Sequence, residues 1–152
     1  MRRRLEQYVR GGEQRSAVKP PFEKEVNVDG RRLKVRIEEV EAWKEQKERK
    51  ERLVVRMKAK VIEEEGRETI VEKEAKFYKT SHGRVRGYVG IDAGAGGGRE
   101  ADYQRTAAVL KALGIEKWRR EERSIQLAGG ALEALLRLEP LCAAMGICQR
   151  KT

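Results

Sequence analysis

The chain has 152 residues, enough for one domain with one modest core. Charged residues make up 39% and aromatics 5%, so the core must be mainly aliphatic and the surface densely charged. The excess of basic residues gives a net charge of +10, which favours anionic partners, and no apolar run approaches the length of a membrane span.

The first element is a short helix over residues 1–10, with Leu5, Tyr8 and Val9 spaced three and four apart among Arg2, Arg3 and Arg4. No N-cap residue precedes it, so it reads as the end of a longer helix, and Gly11-Gly12 stops it. Residues 1–20 thus form a basic helix and linker, and Pro20-Pro21 forces extended backbone at the entry to the sheet.

Residues 21–92 alternate apolar and polar, which predicts an antiparallel β-meander of about five strands. Phe22, Val26 and Val28 lead to Asp29-Gly30, a hairpin signal because both turn residues take positive φ, and Leu33, Val35 and Ile37 resume the alternation. The phase slips around Glu38-Glu39, which predicts a β-bulge. Lys44 to Glu51 is wholly polar and predicts an exposed loop. Leu53, Val55, Met57, Ala59 and Val61 mark the third strand, with Arg56, Lys58 and Lys60 on its other face. Glu64-Glu65-Gly66 turns into a strand carrying Val71, Ala75 and Phe77. Ser81-His82-Gly83 then turns into one carrying Val85, Val89 and Ile91.

Residues 93–98 are a glycine-rich crossover. Glycines before a helix can cradle phosphate, but these match neither the dinucleotide fingerprint nor a Walker A loop. Glu100 and Asp102 in the first turn complement the helix dipole themselves and would repel phosphate.

Residues 99–152 read as a helical cover. One helix carries Tyr103, Thr106, Ala107, Leu110 and Leu113 on one side and stops at Gly114. A small hairpin or sixth strand comes next, around Arg119 to Arg123. A second helix, Gly130 to Met145, is interrupted by Pro140. The expected architecture is therefore a single α+β domain: a short N-terminal helix, then an antiparallel β-meander of about five strands packed by two C-terminal helices.

No catalytic or metal-binding constellation accompanies this pattern, so the expectation is a non-enzymatic protein without a cofactor. His82 is the only histidine and falls in a turn, with neither a nucleophile nor an orienting carboxylate placed beside it. Cys142 and Cys148 do not have metal-ligand or thioredoxin spacing and read as buried thiols of a cytoplasmic protein; a disulfide between them is the alternative. The one patch that suggests binding is Lys117-Trp118-Arg119-Arg120 with Arg123. An indole beside guanidinium groups can stack on bases while the cations neutralise phosphates. Together with Arg2, Arg3 and Arg4 these residues are the candidate nucleic-acid site; the competing reading has Trp118 packed inward on an exposed hairpin. Scarce Asn beside abundant Glu, Lys and Arg matches hyperthermophile usage.

Three stretches carry a family resemblance: Arg4-Leu5-Glu6-Gln7-Tyr8 through Val18-Lys19-Pro20-Pro21, Gly98-Arg99-Glu100-Ala101-Asp102-Tyr103 through Leu113-Gly114, and Leu138-Glu139-Pro140. In wording they resemble the C-terminal region of the Pyrobaculum repeat proteins, subfamily two b. That family is multicopy, crenarchaeal and without an assigned biochemical activity. The resemblance implies a hyperthermophilic archaeal origin and a short member corresponding to the end of a longer protein. It brings no functional residues with it. Partners consistent with this are nucleic acid, a second copy, or the N-terminal portion of a longer homologue, with no membrane. Besides a nucleic-acid module, the sequence leaves room for a structural or assembly piece, for a fragment without present function, and for a remnant of a mobile-element nuclease.

Overall fold

The computed structural model describes residues 16–18, 22–47 and 50–136. In chain order these form β1 (Ser16–Val18), β2 (Phe22–Val28), β3 (Arg31–Lys47), β4 (Lys50–Ile62), β5 (Glu68–Lys79) and β6 (Val85–Gly90). Then come α1 (Gly98–Ala112), β7 (Arg119–Arg120), β8 (Ser124–Ala128) and α2 (Gly129–Leu136).

All eight strands belong to one sheet, ordered β1-β3-β4-β5-β6-β8-β7, with β2 also paired to β3. Every pairing is antiparallel. β1 and β2 lie end to end along the same edge of the long β3, opposite residues 40–42 and 31–37 respectively.

The expected five-stranded meander under two C-terminal helices is overturned. Among the described residues there are eight strands, and the sheet is not complete when the glycine-rich segment is reached. β8 arrives after α1, joins β6 and carries β7 on its far edge, so α1 is an insertion within the sheet rather than a C-terminal cap. The loop expected at Lys44 to Glu51 is also absent. β3 and β4 continue as a ladder to the Lys47↔Lys50 pair, because strand backbones satisfy each other whatever their side chains. The helix expected over 1–10, Pro20-Pro21, and the stretch with Pro140, Cys142 and Cys148 lie outside the described residues.

Local chemistry explains the features that do match the pattern. Asp29 and Gly30 hold φ of 51° and 83°, and the Asn27 side chain accepts the Gly30 N–H at 2.9 Å, which closes the β2–β3 hairpin. The register of β3 against β4 shifts between Ile37 and Glu39. That extra residue returns Val40 and Ala42 to the buried face already occupied by Leu33, Val35 and Ile37.

The core lies between one face of this sheet, here the inner face, and α1, which packs across β2, β3, β4 and β5. Tyr103, Thr106, Ala107 and Leu110 are buried along α1, with Leu113 just past its end, as the helical spacing predicts. Past Ala112 the Gly114 N–H bonds Lys111 O at 3.0 Å and the Ile115 N–H bonds Leu110 O at 2.9 Å, a Schellman closure. α2 lies against β6 and β8 and buries Leu132 and Leu135.

A charged residue also occupies an inward position. Lys73 of β5 falls between Val71 and Ala75 in the pleat, and its ammonium reaches Asp102 Oδ2 of α1 at 2.6 Å and Gly90 O at 3.0 Å. The same carboxylate oxygen accepts the Asp92 N–H at 2.7 Å. Helix, sheet and glycine-rich crossover are thus pinned through one buried carboxylate.

Candidate nucleic-acid interface

The basic hairpin does not gather its residues into one patch. Arg120 pairs with Ile125 of β8, whose side chain is in the core, so it lies on the inner side of the sheet; Arg119 pairs with Gln126 and lies on the outer side. Trp118 packs against the core, and its Nε1–H donates to the Tyr103 hydroxyl at 3.1 Å. The Arg120 guanidinium sits 3.8 Å above the Tyr103 ring and donates to Glu100 at 2.7 Å. That hydrogen bond holds the Glu100 carboxyl below, and the Arg120 guanidinium above, their ordinary pKa values.

From Glu100 the contacts continue to Gln104, from Gln104 to Arg31, and from Arg31 to Glu63. This chain of polar groups laces the β4–β5 turn over α1 to the last hairpin. Trp118 and Arg120 are consumed in bracing the helix. Arg119 keeps a surface pair with Glu121 at 2.8 Å. Lys117 and Arg123 are exposed with no side-chain partner among the described residues. Arg2, Arg3 and Arg4 lie outside the described residues.

Three of the six backbone donors of the glycine-rich crossover are bonded within it or to Asp92. Gly94 N–H bonds the Asp92 side chain at 2.8 Å, Ala95 N–H bonds Asp92 O at 3.3 Å, and Gly98 N–H bonds Ala95 O at 2.9 Å. His82 is exposed in the β5–β6 turn beside Ser81.

The outer face of the sheet has two distinct halves. Toward the β2–β3 turn, strands of opposite charge alternate. Glu23 of β2 faces Arg36 of β3, Glu41 of β3 faces Arg56 of β4, and Arg56 and Lys60 of β4 pair with Glu72 and Glu68 of β5. Arg56 donates to Glu72 at 2.8 Å, which depresses the Glu72 pKa and raises that of Arg56. Here cations and carboxylates match nearly one for one.

The other half is built from two cross-strand rows. Along the register from strand to strand, the first runs Trp43, Val54, Lys76, Tyr88, Gln126 and Arg119, across six strands. The second runs Glu45, Arg52, Tyr78, Arg86 and Ala128. Val54 is 0% exposed although it stands on the outer face and outside the main core, so that face is covered at this position. Tyr78 and Tyr88 are half-buried, with ring centroids 6.2 Å apart and planes tilted by 59°. Arg52, Lys76 and Arg86 have no ion-pair partner among the described residues, and Arg84 at the adjoining turn donates only its backbone N–H. Among the described residues Glu45 and Glu74 are the outward carboxylates of β3 and β5 at this end.

None of these three aromatics belongs to the patch expected from sequence. The available signal was their phase: Trp43, Tyr78 and Tyr88 occupy outward positions, where a half-solvated sheet ordinarily carries polar side chains.

Among the described residues no three His, Cys, Asp or Glu side chains come together as a metal site, and no helix is long and apolar enough to cross a membrane. Ile70, at 62% exposure, is the large hydrophobic side chain left in solvent among those residues. No family model, curated protein or solved structure matches the chain.

Proposed function

We propose that this protein is a cytoplasmic, non-enzymatic module that binds nucleic acid electrostatically on the outer face of its sheet, at the end formed by β4, β5 and β6. The observation that carries the reading is the contrast between the two halves of that face. Where acidic and basic strands alternate, cations are neutralised in place. At the other end Arg52, Lys76 and Arg86 stand beside aromatic rings with little carboxylate to satisfy them. Free cations on a surface of net positive charge attract phosphates and release their counterions.

This moves the interface from the residues first expected to the neighbouring strands, with Arg119 common to both. Its exposed pair with Glu121 is of the kind that contributes little and exchanges readily for a phosphate. An assembly role would have Ile70 as its largest exposed apolar contact among the described residues, a narrow basis for a stable interface.

The test is a salt titration of fluorescence anisotropy with labelled single-stranded and duplex oligonucleotides. Four cations (Arg52, Lys76, Arg86 and Arg119) predict a slope of log K against log salt of about −3 on a single strand, at about 0.7 per phosphate contact. Lys76→Glu with Arg86→Glu reverses two of them and should lower affinity at least tenfold. Absence of binding to either oligonucleotide at low salt, or a slope near zero, would refute the reading.

A further inference from the structure

The ligand can be narrowed. Resting on the nucleic-acid reading above, we infer that the outer-face rows form a stacking platform for single-stranded nucleic acid, with Tyr88 and Tyr78 as the base-contacting rings and Lys76, Arg52 and Arg86 as backbone clamps. Duplex is the disfavoured ligand.

The register supports this geometry. Tyr88 is directly opposite Lys76, and Tyr78 is directly opposite Arg52 on one side and Arg86 on the other. Each ring is therefore flanked across the strands by a cation about 4.8 Å away in the sheet, the spacing of neighbouring strands. In the second row Arg52, Tyr78 and Arg86 alternate basic and aromatic, and in the first Lys76 and Tyr88 are adjacent, which sets rings beside cations as a chain of bases and phosphates requires. The first row spans about 24 Å over its five inter-strand steps.

The rings are half-buried rather than free, so they are held in place before a ligand arrives. Their 59° tilt keeps the two faces from competing for one base, so each ring can take its own. A paired duplex hides its base faces within the stack and could meet this surface only through its phosphates. A single strand can use both the charges and the rings.

Stacking on an aromatic side chain contributes about 1–3 kcal/mol per base, equivalent to roughly 5- to 150-fold in affinity. The experiment compares four ligands of equal length: an oligothymidine, its abasic counterpart with the same phosphates, an oligoadenosine, and a duplex. The inference expects the oligothymidine and oligoadenosine to bind at least fivefold more tightly than the abasic strand and the duplex. It also expects Tyr88→Ala to remove most of that advantage while Tyr88→Phe keeps it. The salt slope of Tyr88→Ala should match that of the parent, because its charges are intact. The abasic strand tests the same point with the protein unaltered, which covers the case of a tyrosine variant that folds poorly. If abasic, duplex and base-bearing strands bind alike and with the same salt dependence, the stacking inference is overturned while electrostatic binding stands. If none binds, both fall together.

Discussion

Replacing Asp102 with alanine should destabilise the fold more than any surface substitution, because three structural elements meet at its carboxylate. Lys73 and Asp102 side chains are only 14% and 8% exposed, and the pair lies between the sheet and α1. Asp102→Ala removes the ion pair at 2.6 Å and the Asp92 N–H acceptor at 2.7 Å, and leaves the Lys73 ammonium with Gly90 O alone. Two charge-assisted hydrogen bonds are lost, and a cation remains inward-facing between Val71 and Ala75. Breaking one side of a buried pair costs about 3–5 kcal/mol. For a domain of this size that corresponds to a fall of roughly 6–20 °C in melting temperature, against a total stability of about 5–15 kcal/mol. Lys73→Met should cost a similar amount by stranding the carboxylate. The double variant Lys73→Met with Asp102→Leu removes both charges and should recover most of the loss, since a well-packed apolar pair often equals a buried ionic one. Thermal and urea unfolding of the parent, these three variants and Asp102→Leu, the double's own second single, closes the cycle. If Asp102→Ala unfolds within about 1 kcal/mol of the parent, or the double variant is as damaged as the sum of the singles, the buried-pair reasoning is wrong.

Gly87 is the one position in β6 where a neighbouring ring forbids a side chain. A Cβ there would lie 2.6 Å from Phe77 Cδ1, and Phe77 is fully buried, so Gly87→Ala should cost about 1–3 kcal/mol in urea unfolding, with part recovered by adding Phe77→Leu. The Glu72 carboxyl titrates below its ordinary value because Arg56 hydrogen-bonds it, so its contribution is present above the unfolded-state pKa and is lost as pH falls through the lower folded value. Glu72→Gln should therefore flatten the decline in urea midpoint on acidification below about pH 4.3, the usual glutamate value. The two arginines of the last hairpin should separate cleanly. Arg120→Ala loses its stack on Tyr103 and its bond to Glu100, lowers the melting temperature and leaves oligonucleotide affinity unchanged. Arg119→Ala leaves the melting temperature within a degree or two and makes the salt slope shallower by about 0.7.

The alternation of Leu33, Val35 and Ile37, the Asp29-Gly30 turn and the bulge near Glu39 were legible in sequence because each is a local preference acting on adjacent residues. The full strand count was not, nor was the place of the last hairpin. The pattern predicts a small hairpin or sixth strand around Arg119 to Arg123, and β7 and β8 form one there, but nothing in their short, mostly polar sequence says that β8 joins the edge of β6 and extends the sheet. The polar stretch from Lys44 to Glu51 read as a loop for the same reason. Side-chain patterning reports burial, whereas the backbone ladder reports only that a partner strand runs alongside. Lys73 was invisible for the converse reason. Its phase put a lysine on the apolar face, and the residue that makes this tolerable is 29 positions later on a helix.

The candidate interface depends most on information that sequence spreads thin. Along the chain acidic and basic residues interleave nearly everywhere, so the excess of cations looks evenly distributed. The sheet sorts it. β4 presents Arg52, Arg56, Lys58 and Lys60 along its length, and its neighbours decide what those charges do. Arg56 and Lys60 meet carboxylates of β5 and are neutralised. Arg52 stands between Glu45 of β3 and Tyr78 of β5 and forms no ion pair among the described residues. A shift of two residues in the β4–β5 register would place Arg52 opposite Lys76 or Thr80 and would separate the tyrosines from their flanking cations, although every residue and the total charge would be unchanged. Register therefore decides whether a basic chain carries a solvated coat of ion pairs or a surface with unspent charge beside half-exposed rings. Here both are written on one face, a few strand positions apart.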